Sequence, residues 1–503
     1  MSQATTATES PPVLPSARRK AAGEAQLAPV QRDPKRWTAL AFIAMAQLMV
    51  ALDATIVSIA LPSAQRSLHV ADADRQWMIT AYTLAFGGLL LFGGRVSDYV
   101  GRKRTFLVGL AGFALASAVG GLAPTFPVLV AARALQGGFA ALLTPTALSL
   151  LAVTFTEPKE RANAFAVYGA IAGSGAAIGM LLGGVLTQYL TWRWCLYVNL
   201  PIAIVAALGG WRFLSSSGGT GRARFDLPGV VLATGALVAL VYACSQAVTT
   251  GWGSTTTVTL LVASGLLLIL FVLRERRTAN PLLPLHIVLD RNRGGAYLAV
   301  ALGIAGMFGA FLFLTYYLQV VLRYSPLQTG LAFLPITVAS QVGSWGIASR
   351  LMPRVPARAL MAPAALVAAA GMALLTQLQV HSGYVGLILP AEILLGLGTA
   401  SVMVPAFSIG TLGVDRRQAG AAAATVNTAQ QIGASLGTAL LNTIAASATA
   451  AYMAGHVARI NLVQGLVHGY QVATIWGTGI LVLGGIVAAL LINAGRPRVD
   501  GDA

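Results

Sequence analysis

The sequence predicts an all-α integral membrane protein with fourteen transmembrane helices, ordered as six, two and six, in which two pseudo-symmetric six-helix bundles surround a central cavity. Three observations support this fold class. Of the 503 residues, 56% are hydrophobic and 10% are charged, whereas a soluble protein has roughly a quarter charged residues. Apolar stretches of about 20 residues, the length that crosses a bilayer, recur along the chain. Basic residues gather in alternate loops.

The predicted spans follow one another with short polar connections. The first six are 37–62, 76–94, 105–123, 127–153, 163–187 and 194–213. Two further spans are 227–247 and 256–273. The last six are 295–321, 328–349, 359–378, 384–411, 419–447 and 470–493.

Polar segments divide the chain into five parts. Residues 1–36 are expected to form a disordered cytoplasmic tail, and residues 494–503 a second cytoplasmic tail. Residues 37–213 and 295–493 are the two six-helix bundles, and residues 214–294 are a linker that holds the two additional helices. Related halves around a central site are a common plan among transporters.

The basic residues set the predicted orientation. With a cytoplasmic N-terminus, 27 of the 33 Lys and Arg residues fall in inside segments and five in outside loops, while Arg133 lies within a span. A net charge of +17 would suggest a nucleic-acid partner for a soluble protein, but here it reflects the positive-inside rule. We therefore expect a multi-pass protein of the cell membrane, with both termini cytoplasmic and no nucleic-acid partner.

The loop between the second and third spans carries a distinctive pattern, Gly94-x-x-x-Asp98-x-x-Gly101-Arg102-Lys103. Gly94 is expected to let a neighbouring helix approach closely, and Gly101 to permit a tight turn. Asp98 can pair with an arginine or cap a facing helix. The basic residues hold the loop in the cytoplasm, although they alone would also fit an ordinary inside loop.

Two ionisable residues in the first bundle lie at similar depth. Asp53 is about 16 residues into the first span, or roughly 24 Å from its inner end at 1.5 Å per residue. Arg133 lies about seven residues from the outer end of the fourth span. Because charges within a membrane are costly, Asp53 is a candidate for a protonation switch, with a permanent structural pair to Arg133 as the alternative.

Glu392 is a third candidate for proton coupling, eight residues into the twelfth span. A carboxylate in the cavity could bind a second proton or hold a cationic substrate. It could equally reach towards the outer face or pair with a polar group.

The fifth span is rich in glycines at a spacing of about four, which favours close helix packing. Gly175, Gly179, Gly183 and Gly184 belong to this series, and Met180 lies within it. The second half contains an echo at Gly433-x-x-x-Gly437. Simple packing and a role in helix movement both fit this pattern.

The sequence contains no pattern of residues that suggests a cofactor, a metal site or an enzyme. The five histidines are scattered without a metal-ligand spacing, and no His, Asp or Cys constellation gathers near one membrane face. Cys195 and Cys244 fall near outer helix ends, where a disulfide and two small buried side chains are both compatible with the sequence.

Several of these segments resemble one transporter family. The Gly94 loop resembles a signature of the major facilitator superfamily, and Arg133-x-x-Gln136-Gly resembles a fourth-helix signature of its drug antiporters. The Gly175 segment is similar to the family's fifth-helix motif, with Met180 in place of the usual proline. Further resemblances lie at Leu52–Pro62, Trp192–Pro201, Tyr317–Gly330 and Ala424–Gly433.

Together these segments resemble the fourteen-helix drug:H+ antiporters, including actinobacterial exporters of antibiotics and drugs, over residues 37–493. The resemblance implies proton-coupled efflux of hydrophobic or cationic compounds by alternating access, with resistance as the outcome. A dedicated exporter of one host-made antibiotic or metabolite is the alternative, and an integral-membrane enzyme is a remote one. The partners implied are a small-molecule substrate, protons and the lipid bilayer.

Residues proposed to contact substrate are polar or aromatic side chains within the predicted spans. They are Gln47, Gln136, Phe308, Phe311, Tyr316, Gln319, Asn427 and Gln431. Most of them could instead form hydrogen bonds between helices.

Overall fold

A computed structural model describes residues 35–493, apart from 73, 156, 215–225, 279–280, 282, 284, 353, 412–413, 415–418 and 455–460. The expected tails, residues 1–36 and 494–503, lie almost entirely outside the described residues. Long helices make up most of the described chain.

The helices follow the order of the predicted spans. The first six are α1 (Arg36–Leu68), α2 (Trp77–Val100), α3 (Arg102–Leu122), α4 (Phe126–Thr154), α5 (Pro158–Tyr189) and α6 (Trp194–Phe213). Then come α7 (Leu227–Thr250), α8 (Thr255–Arg277) and the single turn Leu285–Val288. The last six are α9 (Arg291–Val321), α10 (Pro326–Leu351), α11 (Ala357–Leu375), α12 (Tyr384–Thr411), α13 (Ala419–Ala454) and α14 (Asn461–Leu491).

Eleven helices within the described residues are long and apolar enough to cross a membrane. In addition, α2 has a shorter apolar stretch at Trp77–Leu90. The chain is therefore an all-helical, multi-pass membrane protein.

The two groups of six helices repeat the same packing. In the first, α5 packs on α1 at the glycine series, where a Cβ on Gly179 would lie 2.8 Å from the carbonyl oxygen of Leu52. In the second, α13 packs on α9, and a Cβ on Gly437 would lie 2.4 Å from the Cα of Ala305. The echo in the sequence thus corresponds to equivalent helix pairs in the two halves.

Two pairs of helices join the halves. On one side α2 packs against α13, where the hydroxyls of Thr83 and Ser435 lie 2.7 Å apart. On the other side α5 packs against α10, because Gly184 leaves room for the backbone of Leu327. The helices α5 and α13 are equivalent, and so are α2 and α10, which gives the interface its pseudo-two-fold character.

The additional helices α7 and α8 lie beside the two bundles. Helix α7 packs on both α2 and α13, and Thr443 donates a hydrogen bond to the carbonyl oxygen of Cys244. Helix α8 packs on α7 and directs large apolar side chains outwards, among them Val262, Leu266 and Ile269. This outward face suits contact with lipid.

The loop between α2 and α3 shows where its glycines are needed. Gly101 has a φ of 101°, a conformation that strongly favours glycine. The closest helix approach falls at Gly93, where a Cβ would lie 2.0 Å from the carbonyl oxygen of Ala141, whereas Gly94 makes an ordinary contact with Pro145. Both glycines face α4, but the close approach expected at Gly94 occurs one residue earlier, at Gly93.

Successive helices run in opposite directions, so the helix ends lie on two opposite faces of the molecule. We call the face where α1 begins and α14 ends the terminal face; it contains the pairs Arg36–Glu160, 2.8 Å, and Arg291 with the carbonyl oxygen of Leu490, 2.6 Å. We call the other the opposite face; it contains the described loop residues 69–72, 74–76 and 322–325.

Candidate functional site

A cavity of about 370 Å³ lies between the two halves at middle depth. Helices α1 and α5 line it from the first half, and α9, α10, α12 and α13 from the second. Its apolar wall includes three methionines and two phenylalanines, which are Met180, Met307, Met403, Phe308 and Phe311. Its polar side chains are Thr55, Ser58, Thr337, Ser340, Gln341, Ser344, Thr399 and Gln430.

The described residues that line this cavity carry no charge. Its polarity comes from hydroxyls and two carboxamides. Several hydroxyls already donate to backbone carbonyl oxygens, as Ser340 does to Ile336 at 2.8 Å and Thr337 to Phe333 at 3.3 Å. The wall therefore combines soft apolar surface with a small number of hydrogen-bonding groups, which is the usual composition of a small-molecule site.

A π-helical segment in α10 adjoins the cavity. It spans Val342–Ala348, directly after Gln341, and includes the cavity residue Ser344. Helix α12 fixes this segment, because Ser401 donates to the carbonyl oxygen of Gly343 at 3.2 Å. Single π turns within α-helices often occur at functional sites, since they change the direction of nearby side chains.

Asp53 and Arg133 form a buried ion pair inside the first half. The distance from Arg133 Nη1 to Asp53 Oδ2 is 2.6 Å, and both side chains are almost fully buried. Gln136 and Asn199 donate to Asp53 Oδ1 at 3.2 Å and 2.8 Å. The guanidinium of Arg133 also donates to the carbonyl oxygen of Met78 and lies over the ring of Tyr82. Both carboxylate oxygens thus have strong partners.

This charged cluster and the cavity lie on different sides of α1. Asp53 faces α4 and α6, whereas the next residues, Ala54 and Thr55, line the cavity. Thr55 also lies 3.2 Å from the carbonyl oxygen of Ala176 on α5. Helix α1 therefore connects the ion pair with the cavity wall and with α5.

Glu392 is the corresponding buried acid of the second half. Its Oε2 lies 3.3 Å from the hydroxyl of Tyr384, which is also 2.6 Å from the carbonyl oxygen of Ala332. Its Oε1 is buried and has no hydrogen-bond partner among the described residues. A fully charged carboxylate is costly in such a place, so the geometry suits a group that binds a proton.

The halves are closed against each other at the opposite face. Arg75 is buried, donates to Asn442 Oδ1 at 3.1 Å and lies 3.8 Å above the ring of Tyr316. The Tyr316 hydroxyl donates to Gln65, and Gln319 donates to the carbonyl oxygen of Ile59 at 3.0 Å. These contacts join the first half to α9 and α13, and we call them the Arg75 closure.

The structure places two of the eight predicted substrate residues, Phe308 and Phe311, in the cavity wall. Gln136 belongs to the Asp53 cluster, and Tyr316 and Gln319 belong to the Arg75 closure. Gln47 accepts from Tyr168, Asn427 donates to its own helix at Ala423, and Gln431 packs against Gly87.

The cavity residues Gln341 and Gln430 were not predicted from the sequence. One available signal was the spacing of Thr337, Ser340, Gln341 and Ser344, which places polar residues on one side of an otherwise apolar helix. The sequence provided no means of deciding which of the adjacent residues Gln430 and Gln431 lines the cavity.

Further predicted residues have structural positions that do not touch the cavity. Lys103 donates to the carbonyl oxygen of Trp211 at 2.7 Å, and Arg102 begins α3. The side chain of Asp98 lies outside the described part of the chain. Cys195 and Cys244 are free, buried thiols.

Within the fifth helix, Met180 both packs and lines the cavity. Helix α5 continues as an α-helix through this position. The Met180 carbonyl oxygen approaches α10, where a Cβ on Gly330 would lie 2.6 Å from it.

Comparison with known proteins gives consistent results. The family model described as Major Facilitator Superfamily matches residues 43–438. The chain is 55% identical over 472 residues to the puromycin resistance protein pur8 of Streptomyces alboniger, covering 93% of each chain. It is 40% identical to the cephamycin export protein CmcT of Amycolatopsis lactamdurans, covering 82% of this chain and 85% of that protein.

A solved structure shows the same fold at low sequence identity. The inward-facing, unoccupied crystal structure of a bacterial homologue of the human lysosomal transporter Spinster matches with a TM-score of 0.66. The match covers 92% of this chain and 97% of that chain, at 15% identity.

Proposed function

The chain belongs to the Major Facilitator Superfamily, and from this membership we propose that it exports antibiotics or other hydrophobic drugs across the cell membrane in exchange for protons. The observation that carries the export function is the 55% identity to a puromycin resistance protein over nearly the whole of both chains. The chain is therefore a transporter that confers resistance, not an enzyme. The central cavity is the proposed binding site.

The proposed topology has fourteen spans, with the terminal face in the cytoplasm. The helix order and the concentration of basic residues at that face support it. In this orientation the Arg75 closure lies on the extracellular side. The described conformation is then closed to the outside.

The proposed cycle uses rocking of the two halves about the α2–α13 and α5–α10 contacts. Protonation of Asp53 from outside would weaken its ion pair with Arg133, and α1 would transmit the change to Thr55 and the cavity wall. Deprotonation towards the inside would restore the pair and substrate affinity. Glu392 is the proposed second proton site, and the Asp98–Arg102 loop takes part in the inner gate.

The first experiment measures growth protection and proton movement together. A drug-sensitive bacterial host expressing wild type, Asp53→Asn or Asp74→Asn is exposed to puromycin and to a panel of unrelated drugs. Asp74 is an exposed acid between α1 and α2 and serves as a matched control. Purified proteins in proteoliposomes then report puromycin-driven proton movement with an internal pH dye.

We expect wild type and Asp74→Asn to protect the host and to exchange protons for puromycin, and Asp53→Asn to lose both activities. If the wild-type protein protected the host against none of the drugs, the proposed export would be contradicted. If Asp53→Asn, at equal expression, retained proton exchange, Asp53 would be excluded as the coupling site and Glu392 would take its place.

A dedicated exporter of one antibiotic is the second candidate. Two relatives are each named for a single compound, puromycin or cephamycin, and this observation favours a narrow profile. Protection against one drug alone in the same panel would support this candidate, and protection against many would support multidrug export.

A further inference from the structure

We propose that the cavity selects uncharged substrates and recognises them through the carboxamides of Gln341 and Gln430. The proposal rests on the proposed export function and narrows its substrate class. The sequence resemblance is equally compatible with uncharged hydrophobic substrates and with cationic substrates. The composition of the cavity wall favours the uncharged ones.

The first argument is the location of the carboxylates. An organic cation that leaves water needs a compensating negative charge, and without one its burial is costly. The described lining of the cavity includes neither Asp nor Glu. Asp53 faces away across α1 and is already held by Arg133, Gln136 and Asn199. Glu392 lies against Tyr384, outside the lining.

The second argument is the state of the two carboxamides. Gln341 has no hydrogen-bond partner among the described residues, although it lies in the wall of the cavity. Gln430 donates only to the sulfur of Met403, at 3.3 Å, and thioether sulfur is a weak acceptor. Gln341 therefore retains both N–H donors and its acceptor oxygen, and Gln430 retains one N–H donor and its acceptor oxygen, for a ligand that has matching neutral groups.

The third argument is the positions of these residues. Gln341 comes directly before the π-helical segment of α10, and Gln430 lies on α13. These two helices form the second half's contacts with α5 and α2. A ligand that forms hydrogen bonds with both carboxamides would bridge the two helices at the interface between the halves. Ligand binding at this interface can therefore affect the relative movement of the halves.

The test uses three forms of puromycin that differ at its one aliphatic amine: the free amine, the uncharged N-acetyl form and the permanently cationic N-trimethyl form. Uptake into inverted proteoliposomes is measured for wild type, Gln341→Leu, Gln341→Glu and Gln430→Leu. Gln377→Glu is the matched charge control, because Gln377 is exposed and remote from the cavity lining.

We expect wild type to transport the N-acetyl form with a higher kcat/KM than the N-trimethyl form. Gln341→Leu and Gln430→Leu should each raise KM for the N-acetyl form by roughly three- to tenfold, the usual effect of losing one neutral hydrogen bond. Gln341→Glu should reverse the preference between the two forms, and Gln377→Glu should leave it unchanged. The preference is a ratio within one protein, so reduced folding of a variant does not alter it.

Two results would overturn the proposal in different ways. If wild type transported the N-trimethyl form as well as the N-acetyl form, export would stand and selection of uncharged substrates would be refuted. If wild type transported none of the three forms, the proposed export of puromycin-like drugs would fail, and this inference would fail with it.

Discussion

Asp53 and Arg133 depend on each other, because each would be an isolated charge in an apolar interior without its partner. Removing one member of a buried ion pair costs about 3–5 kcal/mol, since the remaining charge is uncompensated. Gln136, Asn199 and the carbonyl oxygen of Met78 add hydrogen bonds to the same pair.

We predict that Arg133→Met strongly lowers the melting temperature of the purified protein, and that the double variant Asp53→Asn, Arg133→Met recovers most of the loss. The reason is that the double variant buries no unpaired charge. The melting temperatures of both variants are measured by thermal unfolding in detergent. A dye that becomes fluorescent on reaction with thiols detects the buried cysteines as unfolding exposes them. Equal melting temperatures for the single and double variants would contradict the mutual dependence.

Glu392 differs from Asp53 in that no cation contacts it among the described residues. We predict that Glu392→Gln folds with wild-type stability, because an amide replaces a carboxyl that has one long hydrogen bond. If Glu392 binds a second proton, this variant should exchange one proton fewer per puromycin. Calibrated proton flux in proteoliposomes measures the ratio, and an unchanged ratio would assign Glu392 a purely structural role.

At the level of single residues, the sequence predicted contacts correctly where the depth of a residue along its helix determines its neighbours. Asp53 and Arg133 were predicted at similar depth, and the structure shows them paired at 2.6 Å. It failed where the rotation of a helix about its axis decides. Gln136, Tyr316 and Gln319 were expected at the cavity but face other helices. In a uniformly apolar helix, packing against neighbouring helices sets the rotation about the helix axis. The rotation therefore cannot be predicted from the sequence of that helix alone.

At the scale of the helices, α5 illustrates how small residues determine a distance. Its glycines allow the backbone of α1 to approach so closely that a Cβ on Gly179 would overlap Thr55 and crowd Leu52. Thr55 lines the cavity, so the α1–α5 spacing also sets one wall of the site.

We predict that Gly179→Ala reduces transport by at least tenfold and lowers stability, because the helices must separate to admit the methyl group. Gly479→Ala on α14 is the matched control, since a Cβ there meets no atom within 4 Å. That control should have wild-type transport and equal or slightly higher stability. Transport in proteoliposomes and melting temperature check both variants, and similar behaviour of the two would refute the role of the α1–α5 contact.

The helices themselves could be predicted from the sequence because length and apolarity suffice. Each predicted span overlaps one described helix, although some ends differ, as in α14, which begins at Asn461 and not at residue 470. The glycine series predicted close packing in α5. The π-helical segment Val342–Ala348 was beyond such reasoning. It packs on α12 through Gly343 and Ser401, which are distant in sequence.

At the scale of the whole molecule, the Arg75 closure joins the two halves at the opposite face. Arg75 reaches from the first half to Asn442 and Tyr316 of the second, and Asp72 contacts both Arg75 and Asn442. The loss of this buried guanidinium removes a hydrogen bond and a cation–π contact together.

We predict that Arg75→Ala shifts the protein towards a state open at the opposite face. Spin labels at Arg66→Cys and Arg323→Cys, on exposed positions of the two halves, should show a longer mean distance in this variant. Arg193→Ala is the matched control, because Arg193 bonds to Gly121 and Ala123 within the first half. An unchanged distance in Arg75→Ala would exclude the closure as a determinant of conformation.

The three methionines in the cavity wall make the site sensitive to redox chemistry. Met180, Met307 and Met403 contribute flexible thioethers that adapt to ligands of different shape. Oxidation converts a thioether into a bulkier, polar sulfoxide, and reductases can reverse it. Oxidants that enter the cavity would thus change the surface that substrates contact.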